Sequence, residues 1–268
     1  ATQNFTTATD VYNVAMGYNA GVAVTTGIQN TLIGGLAGDA ITDADYNVAV
    51  GYASLAANVL GSKSVAIGRE ALANQNPATA LEAFNTAVGY SAGVSVTTGI
   101  KNTIIGGLAG DALTNADFNT VLGYNALSTD TLGSRSVAIG FQALLDQNFT
   151  TATDTYNVAV GYNAGTNVTT GILNTLVGGQ AGDALTEGGR NVAMGKGALT
   201  NDTLGSRSVA LGQSALAAQN FTTATDTYNT AVGHAAGGAV TTGASNTLIG
   251  GLAGDALTTG NSNVAVGT

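Results

Sequence analysis

Apolar and polar residues alternate in one short phrase that recurs along the whole chain. Each copy has five residues: Asn or Ser, then Val or Thr, then Ala or a larger aliphatic residue, then an aliphatic residue, and finally Gly, as in NTAVG at residues 85–89. A β-branched run bounded by Gly predicts a short strand followed by a turn. A helix is disfavoured, because the chain is rich in Gly, Val and Thr and has no apolar stripe of helical period.

The closing glycines recur at intervals of 17, 17, 17 and 21 residues, and this 72-residue cycle repeats. The cycle fills super-repeats 1–72, 73–144 and 145–216 and the partial repeat 217–268. Such self-similarity predicts one all-β domain over 1–268, a parallel β-solenoid or β-roll of about fifteen coils. Each coil is expected to hold a strand, a turn, a second short strand and a turn, stacked at about 4.8 Å.

The Asn and Gly columns of the phrase are predicted to be structural. Stacked Asn side chains are expected to form a ladder, with each amide bonding to the next coil, and Gly supplies the positive φ that a tight turn needs. Representative positions are Asn13, Gly17, Asn85, Gly89, Asn157, Gly161, Asn229 and Gly233.

The column two residues before each closing Gly is never polar. Alternation along the strand places it on the face opposite its two bulkier neighbours. With the bulky neighbours assigned to the interior, this column is expected to face outward and to be buried by another chain, most simply in a cyclic oligomer. The predicted seam comprises Ala15, Leu32, Ala49, Ala66, Ile104, Val121, Leu176 and Leu248.

The amino-acid composition disfavours several kinds of partner and of binding site. Only 9% of the 268 residues are charged, against roughly 25% in typical soluble proteins. The net charge of −9, with seven scattered basic residues, disfavours nucleic acid as a partner. The absence of Cys excludes disulfides and thiolate metal sites. No apolar run approaches the roughly 18 residues of a membrane span, so insertion into a membrane through this segment is not expected.

The phrases SVAIG (residues 64–68 and 136–140) and NTAVGYSAG (residues 85–93) resemble the head repeats of trimeric autotransporter adhesins, the YadA-like heads. The resemblance covers essentially the whole chain. It implies a left-handed parallel β-roll, a homotrimer around one axis, and an extracellular position on a bacterial surface. Similar arrays occur in phage tail fibres, so a virion fibre shaft is the other expected setting. Because the chain starts and stops within coils, it is expected to belong to a longer fibre or to stack end to end.

Aromatic residues near the four-residue insertions of the 21-residue coils are the first candidates for contact with a host receptor or glycan, since loops on rigid scaffolds often carry function. They are Phe5, Tyr12, Phe149, Tyr156, Phe221 and Tyr228. A surface bulge whose aromatic side chains cover the edge of the roll is the alternative. A second row follows the closing Gly and either binds glycans or packs at a seam or a turn. It includes Tyr18, Tyr52, Tyr90, Tyr124 and Tyr162.

The leading hypothesis is therefore a structural and adhesive fibre segment whose repeated sites bind multivalently. The alternative is a monomeric solenoid that binds an extended lattice such as ice. An enzyme is not expected, because no Ser–His–Asp set recurs, Cys is absent, and the single His, His234, replaces Tyr in a repeated column. No cofactor and no metal site are predicted.

Overall fold

A computed structural model describes residues 10–268 of the chain. In that range the protein is all-β, a parallel β-solenoid of about fifteen coils with no helix, which confirms the predicted class of fold. In chain order the strands are β1 (Val14–Met16), β2 (Thr31–Ile33), β3 (Val48–Val50), β4 (Gly61–Ser62), β5 (Val65–Ile67), β6 (Leu81–Glu82), β7 (Thr86–Val88), β8 (Thr103–Ile105), β9 (Thr120–Leu122), β10 (Gly133–Ser134), β11 (Val137–Ile139), β12 (Thr153–Asp154), β13 (Val158–Val160), β14 (Thr175–Val177), β15 (Val192–Met194), β16 (Gly205–Ser206), β17 (Val209–Leu211), β18 (Thr225–Asp226), β19 (Thr230–Val232), β20 (Thr247–Ile249) and β21 (Val264–Val266).

The described residues group into two compact units, one that ends at residue 134 and also includes 150–153, and one of residues 135–149 and 154–268. In the first unit, β1, β2, β3, β5, β7, β8 and β9 follow one another in a parallel sheet. In the second unit, β11, β13, β14, β15, β17, β19, β20 and β21 do the same. Both sheets pair position for position, as with Ala87 opposite Ile104 and Ala159 opposite Leu176. Both units are therefore built from the repeat that the sequence shows.

Among residues 10–268, the second strand predicted for every coil forms only beside the 21-residue coils. Paired two-residue strands occur there, for example β4 with β6 and β16 with β18. In the other described coils the corresponding segment has no regular secondary structure. The residue five before the closing Gly has left-handed backbone in both kinds of coil, with φ of 59° at Tyr46 and 61° at Lys63, which directly follows β4. This residue ends any extended structure there, but it does not decide whether the second strand forms.

The column two before the closing Gly lies in the core of its own chain, so its predicted outward orientation was wrong. The relative exposure is 1% or less at Leu32, Ala49, Ala66, Ile104, Val121, Leu176 and Leu248. Ala15, in the first described coil, is exposed. This column takes up the interior, to which the strand contributes either Ala or one larger aliphatic side chain per coil. The bulkier Val, Thr and Ile columns on either side consequently face outward.

Core volume is shared between the strand and the turn that follows it. Beside Leu32, the turn position four after the closing Gly is Gly21 in one coil and Gly38 in the next. A Cβ at Gly21 would lie 2.7 Å from Leu32 Cδ1, and one at Gly38 would lie 2.8 Å from Cδ2. Where the strand contributes only Ala49, the turn supplies the fully buried Leu55 instead. Large side chains from the strand in some coils and from the turn in others thus fill the interior.

Candidate functional site

The outward face of each sheet is uncharged along its length. It consists of the residues one and three before the closing Gly, which are Val or Thr followed by Val, Ile, Leu or Met in all fifteen phrases. These side chains are half-buried or exposed within one chain, with Ile67 39% and Leu122 45% exposed. Exposed apolar residues scattered singly need no explanation, but the column one before the closing Gly is apolar in every phrase, and a contiguous apolar stripe marks an interaction surface. We call these two columns the sheet face.

The Asn column forms ladders of three consecutive coils, and the Asn side chains in them are hydrogen-bonded on both sides. Asn102 is fully buried; its Nδ2 donates to the carbonyl oxygen of Ala116 at 2.8 Å. Its Oδ1 accepts from the backbone N–H of Asn119 at 2.9 Å, and its own N–H donates to Oδ1 of Asn85 at 2.9 Å. Equivalent bonds join Asn157 to its neighbours in the second unit. The ladder holds coils together and has no free group for a ligand.

The closing glycines adopt the backbone that the turn requires. Their φ angles are 137° at Gly17, 143° at Gly89 and Gly161, and 141° at Gly233. The ladder residues Asn13 and Asn229 precede two of these turns and donate to the carbonyl oxygens of Gly27 and Gly243, both at 2.7 Å. These positions contribute structure and leave binding chemistry to the outer columns.

Buried polar clusters interrupt the ladder at the 21-residue coils, and sequence reasoning did not single them out. In the second unit, Ser208 replaces Asn, and Gln219 fills the gap. Nε2 of Gln219 donates to Oγ of Ser208 at 2.8 Å and to Oδ2 of Asp202 at 2.6 Å, while its Oε1 accepts from Asn229 at 2.8 Å. Asp202 is fully buried, and its Oδ1 accepts from the N–H of Phe221 at 3.0 Å. The recurrence of Gln seven residues after the closing Gly was the available signal.

The residues predicted to contact a receptor fall into a buried group and an exposed group in the structure. The row comprises Phe5, Tyr12, Phe149, Tyr156, Phe221 and Tyr228. Phe149 and Phe221 are each only 7% exposed, so they cover the roll and do not project from it. The three tyrosines are each more than half exposed. Phe5 lies outside the described residues.

All seven basic residues occupy the two columns that flank the sheet face. Five stand five before the closing Gly and two stand one after it: Lys63, Lys101, Arg135, Arg190 and Arg207, then Arg69 and Lys196. In the first of these columns, Nζ of Lys63 lies 5.3 Å from the ring centre of Phe84 and forms an ion pair with Glu82. Nε of Arg207 similarly lies 2.9 Å from Oδ1 of Asp226. Cations and rings in this column are thus largely paired with each other or with acids.

The described part of the chain contains neither a metal-binding cluster nor a membrane-spanning helix. No group of three or more His, Cys, Asp or Glu residues there is placed to hold a metal ion. No helix among residues 10–268 has the length and apolar character to span a bilayer.

Asp111 is a turn residue whose carboxyl group is partly buried. Its Oδ1 is buried without a hydrogen-bond partner among the described residues. Burial raises the pKa of Asp111 above the ordinary value of 3.8, and the backbone N–H groups of Asp111 and Ala112 offset part of this effect. Asp39, in the equivalent position 72 residues earlier, has a pKa raised by burial in the same way.

This shift predicts a pH dependence of stability. Because the folded pKa is raised, the fold favours protonated Asp111, and its contribution to the unfolding free energy is lost as pH rises through that pKa. Asp111→Asn is therefore expected to be more stable than the parent at neutral pH, with the difference shrinking toward about pH 3. Urea unfolding across this range measures it. Asp255→Asn, in the same column but exposed, is the control. If Asp111→Asn differs from the parent in unfolding free energy by the same amount at neutral pH and at about pH 3, the raised pKa of Asp111 is contradicted.

Comparison with known proteins gives no match, whether to a family model, a curated protein or a solved structure. The class is therefore defined by the fold alone: a tandem-repeat parallel β-solenoid with an uncharged outward sheet face.

Proposed function

We propose that this chain is a segment of an extracellular fibre. Three copies form a left-handed β-roll around one axis and present a repeated binding surface on a bacterial cell or a phage. The observation that carries the proposal is the sheet face, because fifteen consecutive phrases place no charged residue in either of its columns. A second and third copy of the chain are the occupants that repeat with the same period and can bury all of it.

The width of the sheet face fits three copies. From five residues before the closing Gly to one residue after it, the chain spans about 20 Å at about 3.3 Å per residue. Three such faces enclose a triangular prism whose sides lie about 6 Å from the axis, close to half the usual sheet spacing of about 10 Å. Four copies would leave a channel. Two copies facing each other would also fill the space, and the resemblance to adhesin heads favours three.

An adhesive role is supported by the repetition of exposed aromatic residues. Tyr12, Tyr156 and Tyr228 recur at intervals that are multiples of 72 residues, and each is more than half exposed. Buried polar groups outside the ladder, such as Asp202 and Gln219, bond to one another and hold the coils. Repeated sites on a rigid scaffold gain avidity when several engage at once.

The runner-up is a monomeric solenoid that binds an ordered lattice such as ice. Its supporting observation is the Thr content of the sheet face, which has Thr three before the closing Gly at Thr31, Thr86, Thr103, Thr120, Thr175, Thr230 and Thr247. The column is irregular, and the second column of the face contains no Thr. Thermal hysteresis in a monomeric sample would favour this function over the fibre.

A charge on the sheet face is expected to weaken assembly. Leu211→Glu would bring three carboxylates together at the proposed axis, and an unpaired buried charge costs about 3–5 kcal/mol. The dissociation concentration should rise at least about tenfold, which corresponds to about 1.4 kcal/mol. Leu145→Glu is the matched control, since Leu145 is also half-buried but lies in a turn away from the sheet. Mass photometry over a dilution series measures both; equal dissociation of the two variants would contradict the seam.

Adhesion itself is tested with beads coated at equal density with the parent, Leu211→Glu or Leu145→Glu. Retention is measured on immobilised extracellular-matrix proteins and glycans. The parent and Leu145→Glu are expected to be retained, and Leu211→Glu is expected to lose avidity. If the parent is retained on none of these surfaces, the adhesive role is contradicted. That result would not bear on the proposed assembly, which mass photometry tests separately.

A further inference from the structure

Tyrosines in the column one after the closing Gly occupy every second coil of the first unit. The column runs Tyr18, Gly35, Tyr52, Arg69, Tyr90, Gly107 and Tyr124. The four tyrosines are between 50% and 77% exposed. With coils about 4.8 Å apart, two successive rings stand about 10 Å apart, with one residue between them. The row therefore contains three positions between rings: one holds Arg, and two hold Gly.

The position between Tyr52 and Tyr90 shows what fits there. The guanidinium carbon of Arg69 lies 5.9 Å from the ring centre of Tyr52 and 5.5 Å from that of Tyr90. Nη1 donates to the Tyr90 hydroxyl at 3.2 Å, and Nη2 lies 2.8 Å from a carboxylate oxygen of Glu70. Both ring distances are within the range of cation–π attraction, in which a planar guanidinium also stacks.

The two glycine positions are open versions of the same arrangement, and we call them the tyrosine slots. A Cβ at Gly35 would meet only the ring of Tyr52, at 3.5 Å, and one at Gly107 would meet only the ring of Tyr124, at 3.5 Å. Neither glycine has left-handed backbone. Gly is thus not required there by the turn, and its effect is to leave the position between two rings without a side chain.

We propose that the tyrosine slots, Tyr18–Gly35–Tyr52 and Tyr90–Gly107–Tyr124, bind arginine side chains of a partner protein. The Arg69 sandwich supplies the geometry, and the net charge of −9 favours a cationic partner. Lys lacks the planar group that stacks between two rings. The slots are four coils apart, about 19 Å, so an extended segment with arginines about six residues apart reaches both.

The inference rests on the proposed adhesive function for its biological setting, since it names the chemistry of the receptor. Each slot nevertheless belongs to a single chain. Slot binding and the mass of the assembly are therefore measured independently, and either can fail without the other.

The test uses a fluorescein-labelled extended peptide with arginines at positions 1 and 7, and a second peptide with lysines in their place. Binding to the parent is measured by fluorescence anisotropy at physiological salt. The variant Gly35→Arg with Gly107→Arg fills both slots from within the chain, as Arg69 does. The control is Gly179→Arg with Gly251→Arg, which adds the same charge in the same column where no pair of tyrosines flanks the position. Light scattering is recorded for every variant.

The parent and the control variant are each expected to bind the arginine peptide at least tenfold more tightly than the lysine peptide. The variant with filled slots, Gly35→Arg with Gly107→Arg, is expected to bind the arginine peptide at least tenfold more weakly than the parent does. Equal affinity for both peptides, or equal loss in both double variants, would show attraction to net negative charge only and overturn the proposal. If the filled-slot variant, and not the control variant, changes its molar mass while its affinity for the peptide stays the same, the slots lie at a contact between copies of this chain. That result would also overturn the proposal.

Discussion

Gly106→Ala is expected to destabilise the folded chain by about 4 kcal/mol or more. Gly106 closes β8 with a φ of +134°, which L side chains rarely adopt. A Cβ there would lie 2.4 Å from the carbonyl oxygen of Gly123 in the next coil. Because that atom belongs to the backbone, no rotamer change relieves the clash, and the coils would have to separate and give up the pairing of β8 with β9.

Two alanine substitutions separate the causes of this effect. Gly107→Ala is adjacent, has ordinary backbone, and places its Cβ 3.5 Å from the Tyr124 ring. We expect a change within about 0.5 kcal/mol, as for most surface substitutions. Gly197→Ala tests left-handed backbone alone, since its φ is +63° with nothing within 4 Å; about 1–2 kcal/mol is expected. Urea unfolding at fixed protein concentration measures all three, and a Gly106→Ala chain as stable as Gly107→Ala would contradict the close packing of coils.

Asn102→Ala is the second large effect, with an expected loss of about 3–5 kcal/mol. The substitution leaves the N–H of Asn119 and the carbonyl oxygen of Ala116 without their side-chain partners. Each orphaned buried group costs about 1–3 kcal/mol. The lost amide also leaves a gap in a fully buried column, where water has no entry.

Asn115→Ala is the matched control, because Asn115 is exposed and its Oδ1 accepts one bond, from Thr98 Oγ1 at 2.7 Å. We expect no more than about 1 kcal/mol for this loss. Thermal and urea unfolding of both variants test the comparison. Similar small losses would mean that the ladder adds little to the cohesion of the coils.

The sequence specifies the strand, its closing Gly and the Asn ladder, because each depends on local geometry repeated in register. It does not by itself specify which face of the strand is inside. Both faces are apolar, so alternation separates two columns without orienting them, and the bulk of Val and Ile suggested the wrong interior. The available signal lay in two columns six residues apart: Leu32 in the strand is followed by Gly38 in the turn, and Ala49 is followed by Leu55. The pattern is incomplete, since Ala87 is followed by Gly93.

The outer sites depend on details that spacing does not reveal. The order of Tyr, Gly and Arg after the closing Gly is visible in the chain, but the position of Arg69 depends on tyrosine rings from the coils on both sides of it. Phe221 and Tyr228 are both aromatic residues near one insertion, yet the path of the loop buries the first and exposes the second. Exposure of loop side chains follows from tertiary packing, which composition and period do not fix.

The most direct test of the central claim is the molar mass of the unmodified protein, measured by multi-angle light scattering behind a sizing column. The chain mass is 26.2 kDa. Three times that mass is predicted, because the sheet face would then be buried by two further copies. A mass of one chain at micromolar concentration would leave the sheet face in water, contradict the fibre, and favour the lattice-binding solenoid.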